Sequence, residues 1–383
     1  MSRVINYCKG LHESKKFNED ISELIIFVTN ACNLYCKHCF YSAELRQPIE
    51  AIKIDEYEKL IKSLRKPLSN IILTGGEPFL HPDIAEIVKL FSDNKKALQF
   101  TIPTNGRATD ITLKKAEECL QVFSGNIHIQ VSLDGLAEYH NKLRGDEESF
   151  DSLVKTVAGL KKLSKKYKNL SLGVNTTVST ENMNMIDELA DFVNKELRVT
   201  HNFELIRGVN FMAESSQVDS SILSEFKPKE EDMLTPNKEQ IDILNKKLDR
   251  LLLINSKYAT DISFFMKPFF YAFKTTQEFY LSQRILTRKK NLKHCKAGKS
   301  MGVIYPDGGF AFCEMTKVIA NLKDFDFDLY RLWNDDGIKR KTSMLNCYCT
   351  HGCFIPPEII YDNVLRLRLI RQILKYFWLK IAK

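Results

Sequence analysis

Three cysteines, Cys32, Cys36 and Cys39, stand in the run TNACNLYCKHCFYSAEL with the spacing C-x3-C-x2-C. Thiolates are the usual protein ligands of iron–sulfur clusters. A four-iron cube has four corners and this loop fills three of them, so one iron is left open. An open coordination position marks a metal centre that does chemistry. His38 and Phe40 flank the last cysteine and would shield one side of a cluster from water. Unrelated thiols, or a zinc site short of one ligand, are the plainer alternatives. Of the other cysteines, five form a later group, Cys295, Cys313, Cys347, Cys349 and Cys353, and two, Cys8 and Cys119, are left over. Cys119 lies in a helical pattern (LKKAEECLQVF) and reads as a small buried residue.

The elements that must position the first loop can be read from periodicity. Apolar runs at Glu23–Thr29, Asn70–Thr74, Leu98–Pro103, Ile127–Leu133, Leu172–Val178 and His201–Ile206 alternate with amphipathic segments such as Asp55–Leu64, Ile84–Phe91, Ile111–Leu120, Phe150–Leu163 and Met185–Leu197. Six strand–helix repeats predict an α/β fold, a parallel sheet curling into a partial (β/α)6 barrel. Chemistry in such barrels collects at the C-terminal ends of the strands, which is where the cysteine loop falls. The expected organisation is an N-terminal extension over 1–20, the barrel over 21–210, and a helical and aromatic linker or lid over 211–290. A small Cys-rich β-hairpin/α module over 291–357 and a basic amphipathic helix over 358–383 complete it. The aromatic residues between Phe264 and Tyr280 either line a pocket or form core.

Composition narrows the class. The chain has 383 residues, 44% of them apolar, enough for a large core with a smaller module. The N-terminal twenty or so residues are polar and lack the apolar region of a signal peptide. Ten cysteines in an unsecreted chain argue for metal binding over disulfides. The net charge of +8 is not gathered into a basic-aromatic pattern, which argues against nucleic acid as partner. The tail VLRLRLIRQILKYFWLKIAK is too often interrupted by charge to span a membrane. As an amphipathic helix it either lies on an anionic membrane surface or packs on the barrel or a partner.

After the second strand comes ILTGGEP, with Gly75, Gly76, Glu77 and Pro78. Two glycines let backbone approach a ligand closely, and Glu77 can accept hydrogen bonds from an ammonium group. One strand after a three-cysteine loop, this turn makes the chain resemble the radical S-adenosylmethionine (radical SAM) enzymes. The resemblance implies that Cys32, Cys36 and Cys39 hold a [4Fe–4S] cluster, that the methionyl amino and carboxylate groups of SAM occupy the open iron, and that Glu77 binds the same amino group. Other matching segments extend it. Asn105 in PTNG would face the cofactor cleft; Ser132 and Asp134 in QVSLDG would lie near the ribose, with Asp134 as a plain helix cap the alternative. Arg144 would pair with the SAM carboxylate, a planar fork that suits it, unless it forms an ordinary salt bridge. Asn175 and Thr177 in VNTT would add polar contacts to the ribose, and Leu205 would back the adenine.

The segment HCKAGKSMGVIYPDGGFAFCEM resembles the opening of the SPASM or twitch module, which carries auxiliary iron–sulfur clusters in part of the superfamily. Five thiols cannot ligate two further cubes. The expectation is one auxiliary [4Fe–4S] cluster held by Cys295, Cys313 and two of Cys347, Cys349 and Cys353, with a structural zinc site as the alternative. The resemblance then implies an oxidoreductase that cleaves SAM reductively to a 5′-deoxyadenosyl radical and removes a hydrogen from its substrate. The leading substrate is a peptide or protein side chain. The alternative is dehydrogenation or rearrangement of a sugar, aminocyclitol or lipid-linked small molecule, and a non-catalytic iron–sulfur electron carrier is a minor third. A reducing cytoplasm, with peripheral membrane contact through the tail, and an electron donor such as flavodoxin or ferredoxin complete the expectations.

Overall fold

The computed structural model describes residues 21–206, 237–258, 267–269, 271–276, 297–343 and 363–381. Cys295, Cys347, Cys349 and Cys353 lie outside the described residues, as do residues 1–20, the polar stretch 215–232 and, in the aromatic stretch, residues 264–266, 270 and 277–280.

The six expected strands are present: β1 (Glu23–Thr29), β2 (Asn70–Gly75), β3 (Gln99–Thr104), β4 (Asn126–Ser132), β5 (Leu170–Val178) and β6 (Thr200–Leu205). They lie parallel and in sequence order. Between them run α1 (Ile54–Ser63), α2 (Ile84–Asp93), α3 (Thr109–Val122), α4 (Ala137–Arg144) with α5 (Ser149–Lys166), and α6 (Ile186–Phe192). A helical crossover keeps consecutive parallel strands adjacent. Strand ends differ from the apolar runs by a residue or two. β5 starts at Leu170 because its pairing with Ile127 and the next pair, His128 with Ser171, extend the ladder below the apolar stretch.

The strands sort their side chains by alternation. In β4, Ile127, Ile129 and Val131 are wholly buried, in one core with Leu153, Val157 and Leu160 of α5. The opposite face is polar. His128 Nδ1 lies 3.0 Å from Ser171 Oγ, and Thr101 Oγ1 donates to Asn70 Oδ1 at 3.1 Å. The six strands contain neither lysine nor arginine.

Glu23 opens β1 on that inner face, 3% exposed, and its Oε1 has no hydrogen-bond partner among the described residues. Burial pushes its pKa from 4.5 to about 8. Below pH 4.5 the group is protonated in both folded and unfolded chains. As pH rises towards 8 only the unfolded chain ionises, so stability falls by about 1.4 kcal/mol per pH unit and then levels off. Glu23→Gln is therefore expected to melt well above the wild type at pH 8.5 and alike at pH 4.5. An equal gain at both would refute the burial argument.

β1 would be a bare sheet edge, and exposed edges invite unwanted pairing. Here it is covered by β7 (Met301–Ile304), which pairs parallel to it from Glu23↔Met301 to Ile26↔Ile304. β8 (Gly309–Ala311) and β9 (Ala320–Asn321) follow antiparallel, so the hairpin of the second cysteine group extends the barrel sheet to nine strands. The turn between β7 and β8 uses Gly308 at φ +89°, a conformation that favours glycine. Two short helices, α8 (Leu329–Trp333) and α9 (Asp336–Ser343), close this module against α1, where Leu329 N donates to Ser63 Oγ at 3.0 Å.

Outside β6 a second core forms. A long helix that precedes β7 in the chain, α7 (Lys238–Tyr258), buries Ile241, Leu244, Leu248 and Leu251 against Val178, Phe203 and Leu205. The last helix, α10 (Asn363–Ile381), joins this cluster through Tyr376, and Lys375 pairs with Asp249 at 2.7 Å. Among the described residues no helix is long and apolar enough to cross a membrane.

Candidate functional site

The cysteine loop is pinned at both ends. Asn30 Nδ2 donates to Glu44 O at 3.2 Å and to Gln47 O at 2.7 Å, stapling the loop's exit to its entrance. Inside it, Arg46 donates to Leu34 O and lies 3.9 Å over the Tyr35 ring, a cation–π contact. Phe27 at the end of β1 meets Phe40 edge-on at 6.4 Å and Tyr41 at 4.7 Å. Tyr305, just past β7, stacks on Tyr41 with centroids 6.1 Å apart, and Ile52 N donates to Pro306 O at 2.8 Å. The loop thus rests on the hairpin module as well as the barrel.

The GGEP turn is clipped to the same loop. Gly76 N donates to Thr29 O, and Glu77 N to Ala31 O, both at 2.8 Å. The Glu77 side chain is 1% exposed. Its Oε1 accepts from Thr104 Oγ1 at 2.9 Å and Phe79 N at 3.3 Å; its Oε2 accepts from Asn105 N at 2.8 Å. Burial still pushes its pKa up to about 7, with those hydrogen bonds acting the other way. A buried carboxylate wants a cationic partner, and an ammonium group is one. Asn105 Nδ2 donates to Asn33 Oδ1 at 2.9 Å and lies 3.9 Å from Cys32 Sγ.

From the other side, the C-terminal end of α4 closes on the loop. Tyr35 N donates to Arg144 O and Lys37 N to Leu143 O, while Gly145 at φ +68° caps the helix against Tyr35. Arg144 donates through Nε to Asp134 Oδ2 at 2.9 Å, adds a bond from Nη2, and reaches Cys36 Sγ through Nη1 at 3.6 Å. Asp134 is wholly buried and also accepts from Thr177 N at 3.0 Å. Burial alone would raise its pKa, but Arg144, with His38 and His140, holds it below the usual carboxylate range. His38 lies 3.9 Å from Asp134; burial lowers its pKa to about 4, and its Nδ1 has no partner among the described residues.

Cys32, Cys36, Cys39, Gly75, Gly76, Glu77, Asn105, Asp134 and Arg144 therefore come together at one rim of the sheet. Pro78 opens a single 3-10 turn just behind Glu77. Ser132 and Asn175 are register partners one level below, and the buried Oδ1 of Asn175 lacks a partner among the described residues. Leu205 is not brought to the rim: it packs in the outer core with Val178 and Phe203, and the inward positions of β6 are Asn202 and Glu204. Thr104 and Asn30 were not singled out by sequence. Thr104 sits in a quoted motif, and its signal is a polar residue at a strand end where the alternation demands burial. Asn30 gives no signal beyond its place next to the loop.

The donor set suits an iron–sulfur cluster. Burial raises the pKa of Cys32, and that of Cys39 to about 11, so these thiols stay protonated until a metal displaces the protons. Among the described residues no three His, Cys, Asp or Glu side chains converge as they would on one metal ion. In a cube each thiolate takes its own iron, so its ligands need not crowd one point. In the second group, Cys313 is buried, and its Sγ accepts from Met315 N at 3.5 Å in a turn closed by Thr316.

A model of the radical SAM superfamily matches residues 26–193, the stretch that holds all of this rim. The chain carries a radical SAM domain. That superfamily works with a [4Fe–4S] cluster and SAM, and its members are enzymes. Among curated relatives, the Fe-coproporphyrin III synthase of Methanosarcina barkeri is 28% identical over 184 residues, covering 47% of this chain and 43% of that protein. The sporulation killing factor maturation protein SkfB of Bacillus subtilis is 30% identical over 169 residues, 43% of this chain and 37% of that protein. The chain spans less than half the length of these relatives. In fold, it resembles SuiB of Streptococcus suis bound to the precursor peptide SuiA, with a TM-score of 0.56 at 17% identity over 93% of this chain and 77% of SuiB.

Proposed function

We propose that Cys32, Cys36 and Cys39 hold a [4Fe–4S] cluster with SAM on its open iron, and that the protein uses them for oxidative modification of a peptide or protein side chain. The observation that carries the cofactor assignment is Glu77, a buried carboxylate locked by three hydrogen bonds beside the cysteine loop and, among the described residues, lacking a cation as hydrogen-bond partner. When bound, cluster and SAM supply a 5′-deoxyadenosyl radical able to take hydrogen from an unactivated carbon. The rest falls to the chain. Glu77 accepts from the SAM ammonium group. Asn175 and Ser132 receive ribose hydroxyls. Arg144 keeps a second N–H on each terminal nitrogen for the SAM carboxylate while Asp134 fixes its plane. Cys313, with Cys295 and two of Cys347, Cys349 and Cys353, would hold an auxiliary [4Fe–4S] cluster, which would supply a one-electron acceptor. A small electron donor such as flavodoxin or ferredoxin serves the reduced cytoplasmic protein.

Two observations favour a peptide over a tetrapyrrole. SuiB is bound to a precursor peptide, and SkfB is named as the maturation protein of a sporulation killing factor. The inner face of the barrel strands, moreover, offers amides, hydroxyls, an imidazole and the carboxyl groups of Glu23 and Glu204, and no lysine or arginine to receive tetrapyrrole carboxylates. The same polar lining favours, as a second reading, dehydrogenation or rearrangement of a sugar, aminocyclitol or lipid-linked small molecule. A neighbouring gene for a small precursor peptide speaks for the first, glycosyltransferase or lipid genes for the second.

Anaerobic reconstitution followed by dithionite and SAM is expected to give 5′-deoxyadenosine and methionine. None forming with the cluster intact would overturn the reading. A variant with Cys32, Cys36 and Cys39 all changed to Ala is expected to release no 5′-deoxyadenosine yet retain about four irons per chain. Retaining none would defeat the auxiliary cluster.

A further inference from the structure

α10 presents two different faces. Towards the body of the protein, Gln372 and Tyr376 are buried, the latter beside Tyr271 at 5.7 Å between centroids. On the opposite side Leu367, Ile370, Leu374, Phe377 and Trp378 are 50–68% exposed. At 100° per residue these five positions fall within about 100° of arc, one continuous apolar stripe along the helix. By the same register, position 371 borders the stripe on one side and positions 366 and 380 on the other. All three are arginine or lysine, Lys375 beyond 371 is taken up by Asp249 at 2.7 Å, and α10 contains no aspartate or glutamate. Exposed side chains this large rarely line up on a monomer without something to cover them.

We propose that this face of α10 docks the protein on an anionic membrane surface. The charge pattern selects that occupant. An apolar stripe carrying Leu, Ile, Phe and Trp between two basic borders matches a helix lying in the interface plane, with its apolar side chains among the acyl chains and its cations at the lipid phosphates. A protein groove fitted to the stripe would need no cation on both borders. Buried Tyr376, with the Lys375–Asp249 pair at the flank of the helix, anchors α10 to the long helix Lys238–Tyr258, so the barrel is held at the bilayer. This inference stands apart from the cofactor assignment, since it uses none of the residues at the strand ends.

The chain's tryptophans are Trp333, 6% exposed, and Trp378, 65% exposed, which gives a local reporter. The anaerobically reconstituted full chain, mixed with vesicles of phosphatidylcholine and phosphatidylglycerol (7:3), is expected to co-sediment and to shift its tryptophan emission to the blue. Trp378→Phe should abolish the shift and keep the binding. Leu374→Glu with Trp378→Glu should lower vesicle affinity at least tenfold without moving the melting temperature, because both side chains are exposed. Arg371→Gln should cost about fivefold, and raising the salt should weaken the wild type in the same direction. No binding to these vesicles at low salt, or binding unchanged in the double glutamate variant, would overturn the proposal. So would a wild-type dimer, seen by light scattering, that persists with vesicles and dissociates in that variant, since a second copy would then be the occupant.

Discussion

Gly76→Ala is expected to weaken SAM binding at least tenfold while the protein stays folded. A β-carbon at this position would stand 2.2 Å from the carbonyl oxygen of Ala31, 2.6 Å from its carbon and 3.0 Å from Cys32 Cβ. The first two are backbone atoms and cannot swing aside, so either the GGEP turn or the cysteine loop must move. Overpacking of this kind costs about 1–3 kcal/mol, which a domain of this size survives. The site does not survive it as well. Movement breaks the bonds from Gly76 N to Thr29 O and from Glu77 N to Ala31 O, and a misplacement of about 1 Å can cost 10²-fold in rate. Anaerobic equilibrium binding of SAM, with a urea melt alongside, separates the two effects. Gly337→Ala, where among the described residues only the flexible Asp335 carboxylate comes within 4 Å, serves as the tolerant control. Unchanged affinity in Gly76→Ala would show that the turn and the loop are not held in contact.

Asp134→Asn is expected to destabilise the fold by about 3–5 kcal/mol, the usual cost of removing one partner from a buried ion pair. The Asp134 side chain is wholly buried and that of Arg144 is 9% exposed. Neutralising the carboxylate leaves a guanidinium without its counter-ion and weakens the bond to Thr177 N. A double variant, Asp134→Leu with Arg144→Met, should lose less than the two single changes summed, since no charge is then stranded. The pH dependence has a definite sign. A carboxylate held below its ordinary value of 3.8 contributes its stability above that pH and loses it as pH falls through the lowered value. The gap between wild type and Asp134→Asn should therefore be full at pH 7 and shrink below about pH 4. A denaturant series at both pH values reads it, and a loss under about 1 kcal/mol at pH 7 would put the pair among the weak surface bridges.

Much of the site was legible in the chain because its signals are local. Ligand spacing in C-x3-C-x2-C, two glycines before Glu77 and polar residues at strand ends are written within a few positions of one another. The strands were legible as apolar runs, since a parallel strand covered by helices needs little else. What was not legible depends on register between distant segments. Arg144 lies 108 residues from Cys36, and only the packing of α4 on the loop makes them neighbours. The resemblance puts Leu205 on the cofactor side, but β6 is buried at five of its six positions, so its alternation does not tell which face meets the helices. The tail was readable as amphipathic, but which side packs and which stays open was not, because both sides carry leucine and isoleucine.

The sequence by itself thus determined the chemistry available: three thiols in a loop, a carboxylate after two glycines, a polar rim and a second group of thiols. Tertiary structure decided the company each group keeps. It set Glu77 under Asn105 and Thr104, turned the Arg144 fork onto Asp134 and Cys36, and laid the hairpin of Cys313 against the free edge of β1. The reason is physical. Spacing along a chain fixes which donors a loop can offer, whereas burial and pairing partners come from long-range packing that no short window of sequence contains.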